Sequence, residues 1–178
     1  MENRISGTTG LLALIGSPVG HSGSPAMYNY SFQKLGLDYV YVAFDIQVGE
    51  VEKAVEAMRL FKMRGCNVTM PDKTEVVKYM DELSTAALMI GAVNTIVNDD
   101  GRLTGYITDG EGFVNNLRDH GIEIAGKKIT VAGGGGAATA IQVQCALDGA
   151  REITIFNIKD AFFERTLETA EKIRGARP

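Results

Sequence analysis

A lysine placed two residues after a proline, in the segment Asn67–Lys73, is the most informative chemical feature of the chain. The segment predicts a buried strand that runs into a helix, with Pro71 at the first helical position, where its missing N–H would be unpaired anyway. Lys73 would then lie in the first helical turn, where the helix dipole disfavours positive charge. This placement would suit an amine that exchanges a proton during catalysis. Taken alone, the segment favours an exposed surface lysine, and it is the other motifs of the chain that favour the catalytic interpretation.

Two serines and an asparagine extend the set of polar candidates. Ser22 and Ser24 flank a glycine just before Pro25, and such a turn can present hydroxyl and backbone N–H groups to an anion. Ser24 also fits the N-cap of the helix that follows. Asn94 is expected in the middle of a strand, where a buried amide must find hydrogen-bond partners.

An acidic residue is the predicted partner of the lysine. Thr108 and Glu111 have the spacing of a capping box, which leaves Asp109 as a first-turn acid. A carboxylate beside Lys73 would orient the amine and tune its proton affinity. Because ligands bind at the carboxyl ends of strands in α/β sheets, we expect the two serines, Lys73 and Asp109 to share one rim.

A glycine-rich loop between a predicted strand and a predicted helix indicates a second binding function. It fits the pattern G-x-G-x-x-A with Gly133, Gly135 and Ala138 in the three defined positions. Glycines at these positions allow a tight turn and close approach to a pyrophosphate on the helix N-terminus. The strand–helix–strand context favours dinucleotide binding over a turn without a ligand. The loop residues predicted to contact the cofactor are Gly133, Gly134, Gly135, Gly136 and Ala137.

The tip of the next strand leaves the choice of coenzyme open. A NAD site usually has an acid there for the ribose hydroxyls, whereas this chain has Asn157. Lys159 would suit the 2′-phosphate of NADP, and Asp160 would suit ribose hydroxyls. Asp160 also fits the cap of a helix beginning at that residue.

These candidates need an α/β framework to position them. Alternating short apolar runs and helical spacings predict a mainly parallel sheet in the first half and a βαβα unit in the second half. We therefore expect a substrate domain over residues 1–110 and an incomplete Rossmann-type dinucleotide-binding domain over residues 111–178. The predicted helices are 24–35, 50–61, 71–80, 84–90, 108–120, 137–147 and 160–174. The predicted strands are 11–15, 39–44, 65–69, 93–97, 103–107, 129–132 and 153–156.

Composition excludes several classes of function. The 178 residues carry a formal net charge of −4 and are 45% hydrophobic, so nucleic acid and membrane surfaces are not expected partners. Two cysteines in apolar segments indicate reduced core residues and a cytoplasmic protein, and no signal peptide is evident. Two histidines without a Cys/His cluster predict no bound metal. An unfinished parallel sheet exposes an edge strand, which favours a homo-oligomer modestly.

Taken together, the motifs resemble those of the shikimate dehydrogenase family, most closely its quinate/shikimate dehydrogenase branch. The resemblance covers essentially the whole chain, and the motifs keep the family's order and spacing. The segments that carry it are Gly16–Met27, Asn67–Lys73, Gly91–Thr95, Gly105–Gly110, Gly133–Ala137 and Phe156–Asp160.

The resemblance implies a role for each polar candidate. Ser22 and Ser24 would bind the substrate carboxylate, and Lys73 would transfer the proton with Asp109 as its partner. The residues holding the ring hydroxyls would be Thr69, Asn94, Thr108 and Asp109. The reaction would be reversible NAD(P)-dependent oxidation of a ring hydroxyl of a small-molecule substrate, shikimate or quinate.

Three departures from the family pattern modify these expectations. Ile107 stands where the family usually has asparagine and removes a polar group from the edge of the site. Ile158 stands where an arginine is common, and the loss of that charge beside a 2′-phosphate favours NAD slightly. Family members also continue well past the position of Pro178 and complete the cofactor domain. We therefore expect an intact substrate rim, a partial cofactor site and weak or absent turnover.

Two other functions are compatible with parts of the sequence. A non-catalytic remnant that binds a ligand or assembles with a partner fits the incomplete cofactor domain. A dehydrogenase of the methylenetetrahydrofolate type would share a similar first domain. The Ser22 and Ser24 pair argues against the latter, because a carboxylated ring acid needs such a clamp and a folate substrate does not.

Overall fold

The computed structural model describes residues 5–161 and 163–175, which divide into two compact units. The substrate unit comprises the described residues up to Leu83 together with Ala92–Tyr106. The dinucleotide unit comprises Ser84–Gly91 and the described residues from Ile107 onward. The crossover of the short segment 84–91 into the second unit is not evident in the sequence.

A six-stranded mixed sheet forms the centre of the substrate unit. Its strands lie in the order β2-β1-β3-β5-β6-β4, with β1 parallel to β2 and β3, β4 parallel to β6, and β5 antiparallel to β3 and β6. The sheet is mainly parallel, as the sequence predicts. The strands are β1 Gly10–Gly16, β2 Tyr39–Asp45, β3 Gly65–Val68, β4 Glu82–Leu83, β5 Thr95–Asp99 and β6 Arg102–Tyr106.

Two α-helices and one 3-10 helix accompany this sheet: α1 Ser24–Leu35, α2 Val51–Leu60 and the 3-10 helix Glu75–Tyr79. The amphipathic spacing of α2 is confirmed, because Val51, Val55 and Met58 are its buried residues. Helix α1 ends at Gly36, which adopts the left-handed conformation that glycine tolerates best. An aromatic cluster lies under α1, where the rings of Tyr28 and Tyr41 stack with their centroids 4.5 Å apart.

The predicted hairpin is confirmed, with both strands shifted towards a shorter turn. Strand β5 begins at Thr95 and β6 ends at Tyr106, and a two-residue turn at Asp100-Gly101 joins them. Both turn residues have positive φ, 50° and 97°, which is the conformation of the tight turns favoured in hairpins.

The dinucleotide unit has the predicted βαβα order. Strands β7 Lys128–Ala132 and β8 Glu152–Phe156 pair in parallel, with Lys128 opposite Glu152. The helices of the unit are α3 Thr85–Ile90, α4 Asp109–Asp119, α5 Gly136–Leu147 and α6 Phe163–Gly175. The apolar core of the unit includes Val114, Ile124, Cys145 and Ala150.

A close helix contact in this unit depends on a glycine. A Cβ on Gly110 of α4 would collide with the backbone carbonyl of Ala140 in α5. The missing side chain therefore lets α4, which begins with Asp109, lie directly against the helix that follows the glycine loop.

Candidate active site

Backbone hydrogen bonds gather three segments at one end of the substrate unit's sheet. The Ser17 N–H donates to the Met70 carbonyl at 3.1 Å, and the Thr69 N–H donates to the Ile15 carbonyl at 2.9 Å. On the other side, the Val93 N–H donates to the Lys73 carbonyl at 2.7 Å. The loop that carries Thr69 and Lys73 is thus tied to the end of β1 and to the segment that precedes β5.

Gly16 makes this close approach sterically feasible. Its φ of 146° is rarely adopted by residues with a side chain, and an added Cβ would lie 2.5 Å from Thr69 Cγ2 and 2.9 Å from the Met70 carbonyl oxygen. A residue with a side chain at this position would push β1 away from the loop that holds the predicted catalytic lysine.

The structure corrects the predicted surroundings of Lys73. Residues 71–74 form a turn, and the helical segment begins only at Glu75 and is a short 3-10 helix. The Asp72 N–H bonds back to the Thr69 carbonyl at 3.0 Å, and the Met70–Pro71 peptide is cis. Pro71 is therefore not the first residue of an α-helix, and the helix dipole does not account for Lys73. The half-buried Lys73 is instead positioned by its own pinned backbone.

The neighbouring Asp72 is the buried acid of this loop. Its side chain is 3% exposed, and Oδ2 has no hydrogen-bond partner among the described residues. Burial raises the pKa of Asp72, and the nearby carboxylate of Glu75 raises it further. No local pattern indicates this burial, since Asp72 directly follows the proline at the start of the helix predicted over residues 71–80.

The serine turn is built differently from the prediction. Helix α1 begins at Ser24 with Gly23 as its N-cap, so Ser24 is not the capping residue. The Ser22 hydroxyl accepts a hydrogen bond from the Ser24 N–H at 3.2 Å, which fixes the two serines relative to each other. Both side chains are half-buried at the entrance to the helix.

Asn94 lies immediately before β5 rather than in the middle of a strand. It is buried, and its backbone is held on both sides: its N–H donates to the Tyr106 carbonyl at 2.8 Å and its carbonyl accepts from the Val68 N–H at 2.9 Å. Its side-chain oxygen accepts a hydrogen bond from the Thr95 hydroxyl at 3.0 Å. This pairing brings Asn94 to the strand β3 that leads into the lysine loop.

The remaining polar candidates belong to the dinucleotide unit. Thr108 precedes α4 as its N-cap, but its side chain makes no capping hydrogen bond, so the predicted capping box with Glu111 is wrong. Asp109 is the first residue of the helix. Lys73 and Asp109 lie in different units, and their pairing stays a prediction.

The glycine loop closes the carboxyl end of β7 onto the start of α5. Gly133 has a φ of 113°, and its N–H donates to the Phe156 carbonyl at the end of β8. Its carbonyl accepts from Nε2 of the buried Gln142 at 2.9 Å. A Cβ on Gly134 would collide with the Thr166 hydroxyl, whereas Gly135 and Gly136 have open space around them.

This loop geometry fits a dinucleotide pyrophosphate. Helix α5 begins at Gly136, and no acidic residue lies in its first turn. A helix N-terminus preceded by glycines without side chains, and without a carboxylate in its first turn, suits an anion.

The tip of β8 brings the predicted ribose-contacting residues together. Asn157 Nδ2 donates to Asp160 Oδ1 at 3.3 Å and lies 3.4 Å from the Thr166 hydroxyl. The exposed Lys159 places its ammonium 5.8 Å from the centre of the Phe163 ring. Helix α6 begins at Phe163, so the helix predicted to start at Asp160 begins later.

The described part of the chain has neither a metal-binding cluster nor a helix able to span a membrane. Residues 5–161 and 163–175 contain no group of three or more His, Cys, Asp or Glu side chains that would hold a metal ion. Among the same residues, no helix has the length and apolar character needed to cross a bilayer.

Comparison with known proteins gives a consistent result. Residues 14–96 match the family described as the shikimate dehydrogenase substrate binding domain. A shikimate dehydrogenase (NADP(+)) of Listeria monocytogenes is 55% identical over 175 residues, which are 98% of this chain and 60% of that protein. The chain thus spans about 60% of the length of the curated relatives it matches.

Solved structures show the same partial coverage. A crystal structure of shikimate 5-dehydrogenase from Listeria monocytogenes with shikimate and NAD superposes with a TM-score of 0.95 and 53% identity, covering 99% of this chain and 61% of that one. A shikimate dehydrogenase in complex with NADP+ gives a TM-score of 0.83 and 40% identity, covering 96% of this chain and 59% of that one.

Proposed function

We propose that the chain is a member of the shikimate dehydrogenase family, that it binds shikimate or quinate, and that it takes part in the reversible NAD(P)-dependent oxidation of a ring hydroxyl. The observation that carries the proposal is the pinning of the lysine loop. Hydrogen bonds from Val93 to Lys73 and from Val68 to Asn94 bring an amine and a buried amide to the same end of the substrate unit.

Each polar side chain has a role in this proposal. The Ser22 and Ser24 hydroxyls bind the substrate carboxylate, and the hydrogen bond from the Ser24 backbone N–H to the Ser22 hydroxyl holds the Ser22 side chain in place for this contact. Thr69, Asn94 and Thr108 hold ring hydroxyls. In the oxidation direction, the hydroxyl oxygen passes its proton to Lys73 Nζ as the carbonyl forms, and Asp109 orients the amine.

The glycine loop supplies the cofactor site in this scheme. Backbone N–H groups of Gly134, Gly135, Gly136 and Ala137 would hold the pyrophosphate, with Gly133 providing the turn. Asn157, Lys159 and Asp160 would meet the adenosine ribose. When bound, the coenzyme would supply the nicotinamide that exchanges a hydride with the ring carbon of the substrate.

The proposal leaves the choice between NAD and NADP open. The curated relative is named for NADP(+), while the similar crystal structure contains NAD, so the sequence-based lean towards NAD has no support from the relatives' names. Ile158 is 75% exposed and offers no charge to a 2′-phosphate, which leaves Lys159 as the cation of this segment. Lys159→Ala should therefore weaken NADP+ binding more than NAD+ binding.

Calorimetry followed by a turnover assay tests the proposed function. The chain should bind shikimate or quinate, and it should bind at least one of the two coenzymes. Reduction of NAD+ or NADP+ with shikimate or quinate, followed by absorbance, then measures turnover. Absence of binding to both ring acids at millimolar concentration would refute the assignment.

A non-catalytic ligand-binding or assembly function is the second candidate, and the same assays separate it from the first. Ring-acid binding without coenzyme reduction supports this candidate, whereas turnover at the rate of a full-length relative contradicts it.

Two finer expectations accompany the proposal. Both cysteines are buried and free, which fits a protein of the reducing cytoplasm. Strands β7 and β8 form a two-stranded sheet, and such edges favour pairing with a second copy. Light scattering as a function of protein concentration measures the self-association.

A further inference from the structure

A chain of side-chain hydrogen bonds crosses the sheet of the substrate unit and ends at Asn94. The Tyr41 hydroxyl bonds to Asn67 Oδ1 at 2.8 Å, and Asn67 Nδ2 donates to the Thr95 hydroxyl oxygen at 3.1 Å. The Thr95 hydroxyl in turn donates to Asn94 Oδ1 at 3.0 Å. Four residues on strands β2, β3 and β5 and on the segment before β5 are thereby connected.

The donor-to-acceptor direction of these hydrogen bonds is fixed by the backbone carbonyl of Asn94, which can only accept. Asn67 Nδ2 also lies 3.4 Å from the backbone carbonyl oxygen of Asn94, which has no proton to give. The amide nitrogen of Asn67 must therefore face β5, and its oxygen must face Tyr41. Because Thr95 accepts from that nitrogen, its own proton is directed to Asn94 Oδ1.

Tyr41, at the other end of this series of hydrogen bonds, is held in place as a hydrogen-bond donor. Tyr41 is 3% exposed and stacks on Tyr28 with centroids 4.5 Å apart. Burial raises the pKa of the Tyr41 phenol, and the nearby Cys66 and Tyr28 raise it further, so the hydroxyl keeps its proton. A protonated phenol held by packing keeps the Asn67 amide from turning over.

We propose that Thr95 and Asn67 are positioning residues that orient the Asn94 amide so that its NH2 group donates to a hydroxyl of the bound ring acid. This inference rests on the proposed function, and it explains why Asn94 would direct its NH2 group rather than its Oδ1 towards the ring acid. An amide whose oxygen accepts a hydrogen bond on one side directs its NH2 hydrogens away from that side. Without the hydrogen bond from the Thr95 hydroxyl, the Oδ1 and Nδ2 positions of Asn94 could exchange by rotation of the amide.

Substitution at Thr95 tests the proposal, because valine keeps the shape of threonine and removes the hydroxyl. Thr95→Val should weaken shikimate binding about tenfold, which corresponds to about 1.4 kcal/mol, and Thr95→Ser should restore it to within about twofold. Thr104 is a matched control, since it lies opposite Val97 on the same sheet face and is also half-buried. Thr104→Val should leave binding unchanged.

A second ring acid separates positioning from general damage. Cyclohexenecarboxylate retains the ring and the carboxylate but has no ring hydroxyl for Asn94 to hold. Its affinity should be equal for wild type and Thr95→Val. Equal loss of both ligands, or an unchanged shikimate affinity in Thr95→Val, would overturn the proposal.

A measurement without ligand keeps this test independent of the proposed function. In nitrogen–proton correlation NMR of the free protein, the Asn94 side-chain amide signals should shift in Thr95→Val and return in Thr95→Ser. Unchanged Asn94 signals overturn the positioning role. If wild type binds neither ring acid while the Asn94 signals respond as expected, the proposed function fails and the hydrogen-bonded chain stands.

Discussion

The two units build their candidate sites from different groups of the chain. The substrate unit presents side chains, and it fixes them by tying the Thr69–Lys73 loop to neighbouring strands through backbone hydrogen bonds. The dinucleotide unit presents the backbone itself, through glycines that leave N–H groups accessible at the start of α5. The former site should therefore depend on particular functional groups and the latter on the absence of side chains.

A glycine in each unit makes the contrast testable. At Gly16 the obstruction to a Cβ includes the Met70 backbone carbonyl, whereas at Gly134 it is the side chain of Thr166 together with that of Asn157. A backbone obstruction cannot be removed by a second substitution, but a side-chain obstruction can.

The largest expected effect concerns the chemistry of the substrate unit. Lys73→Ala should lower turnover by at least about 100-fold, because general acid–base catalysis contributes about 10²–10⁴-fold. Shikimate affinity should change much less. Lys78→Ala is the control, since Lys78 is an exposed lysine paired with Glu75 and lies outside the proposed site. Steady-state rates and calorimetry on both variants measure the difference, and equal turnover in the two would remove Lys73 from the mechanism.

The next largest effect concerns folding stability, through the close packing of Gly16 at the end of β1 against Thr69 and Met70. Gly16→Ala should lower the free energy of unfolding by about 3 kcal/mol, because it combines a strained positive φ with overpacking against backbone. Gly20→Ala is the control, since Gly20 is exposed with nothing within 4 Å of an added Cβ. Urea denaturation measures both. A Gly16→Ala variant as stable as Gly20→Ala would contradict the described approach of β1 to Thr69.

The corresponding change in the dinucleotide unit should be smaller and reversible. Gly134→Ala should cost about 2 kcal/mol through overpacking against Thr166. Adding Thr166→Ala should recover part of this loss, which a double-mutant cycle measures as a favourable coupling. Strict additivity of the two changes would show that the side chain of Thr166 is not the obstruction. Gly136→Ala, with open space around it, should affect coenzyme binding rather than folding.

Sequence reasoning located elements better than it located contacts. The apolar spacing of Val51, Val55 and Met58 and the glycine after Leu35 predicted α2 and the end of α1 closely, because these signals are local. The prediction of a helix beginning at Pro71 was wrong, because it too used only local signals. The Asp72 N–H donates to the Thr69 carbonyl and closes a turn there, and nothing in the local pattern indicates this hydrogen bond.

The site shows the same division. Lys73, Asn94 and the glycines were found from motif and spacing, whereas the support of Asn94 by Thr95 and Asn67 was missed. Asn67 lies 27 residues from Asn94 in the chain, so their contact depends on the pairing of β3 with β5. A polar residue within a strand predicted to be buried was the available signal.

The smallest expected effect concerns Asp72, the buried acid next to Lys73. The folded state raises the pKa of Asp72, so it binds this proton more tightly than the unfolded chain does. Stability should therefore fall as the pH rises from the ordinary aspartate range through the raised folded value. Asp72→Asn should flatten this fall and add about 1 kcal/mol at neutral pH, because an uncharged group costs less to bury.

Thermal unfolding between acidic and neutral pH checks this prediction. Asp100→Asn is the control, since Asp100 is exposed in the hairpin turn and should leave the pH dependence unchanged. An Asp72→Asn variant that is less stable than wild type at neutral pH would mean that the carboxylate makes a favourable interaction in the folded state.

Titration of the chain with shikimate, followed residue by residue through backbone amide signals in NMR, tests the central claim most directly. We predict that the largest shifts fall on Ser22, Ser24, Thr69, Lys73 and Asn94, because the backbone-pinned rim of the substrate unit holds the ring acid. An apolar cavity of about 310 Å³ lies elsewhere in the same unit, between α2 and the sheet, and Val55, Met58 and Cys66 are among its lining residues. Shifts confined to that cavity, or no shifts at millimolar shikimate, would contradict the account.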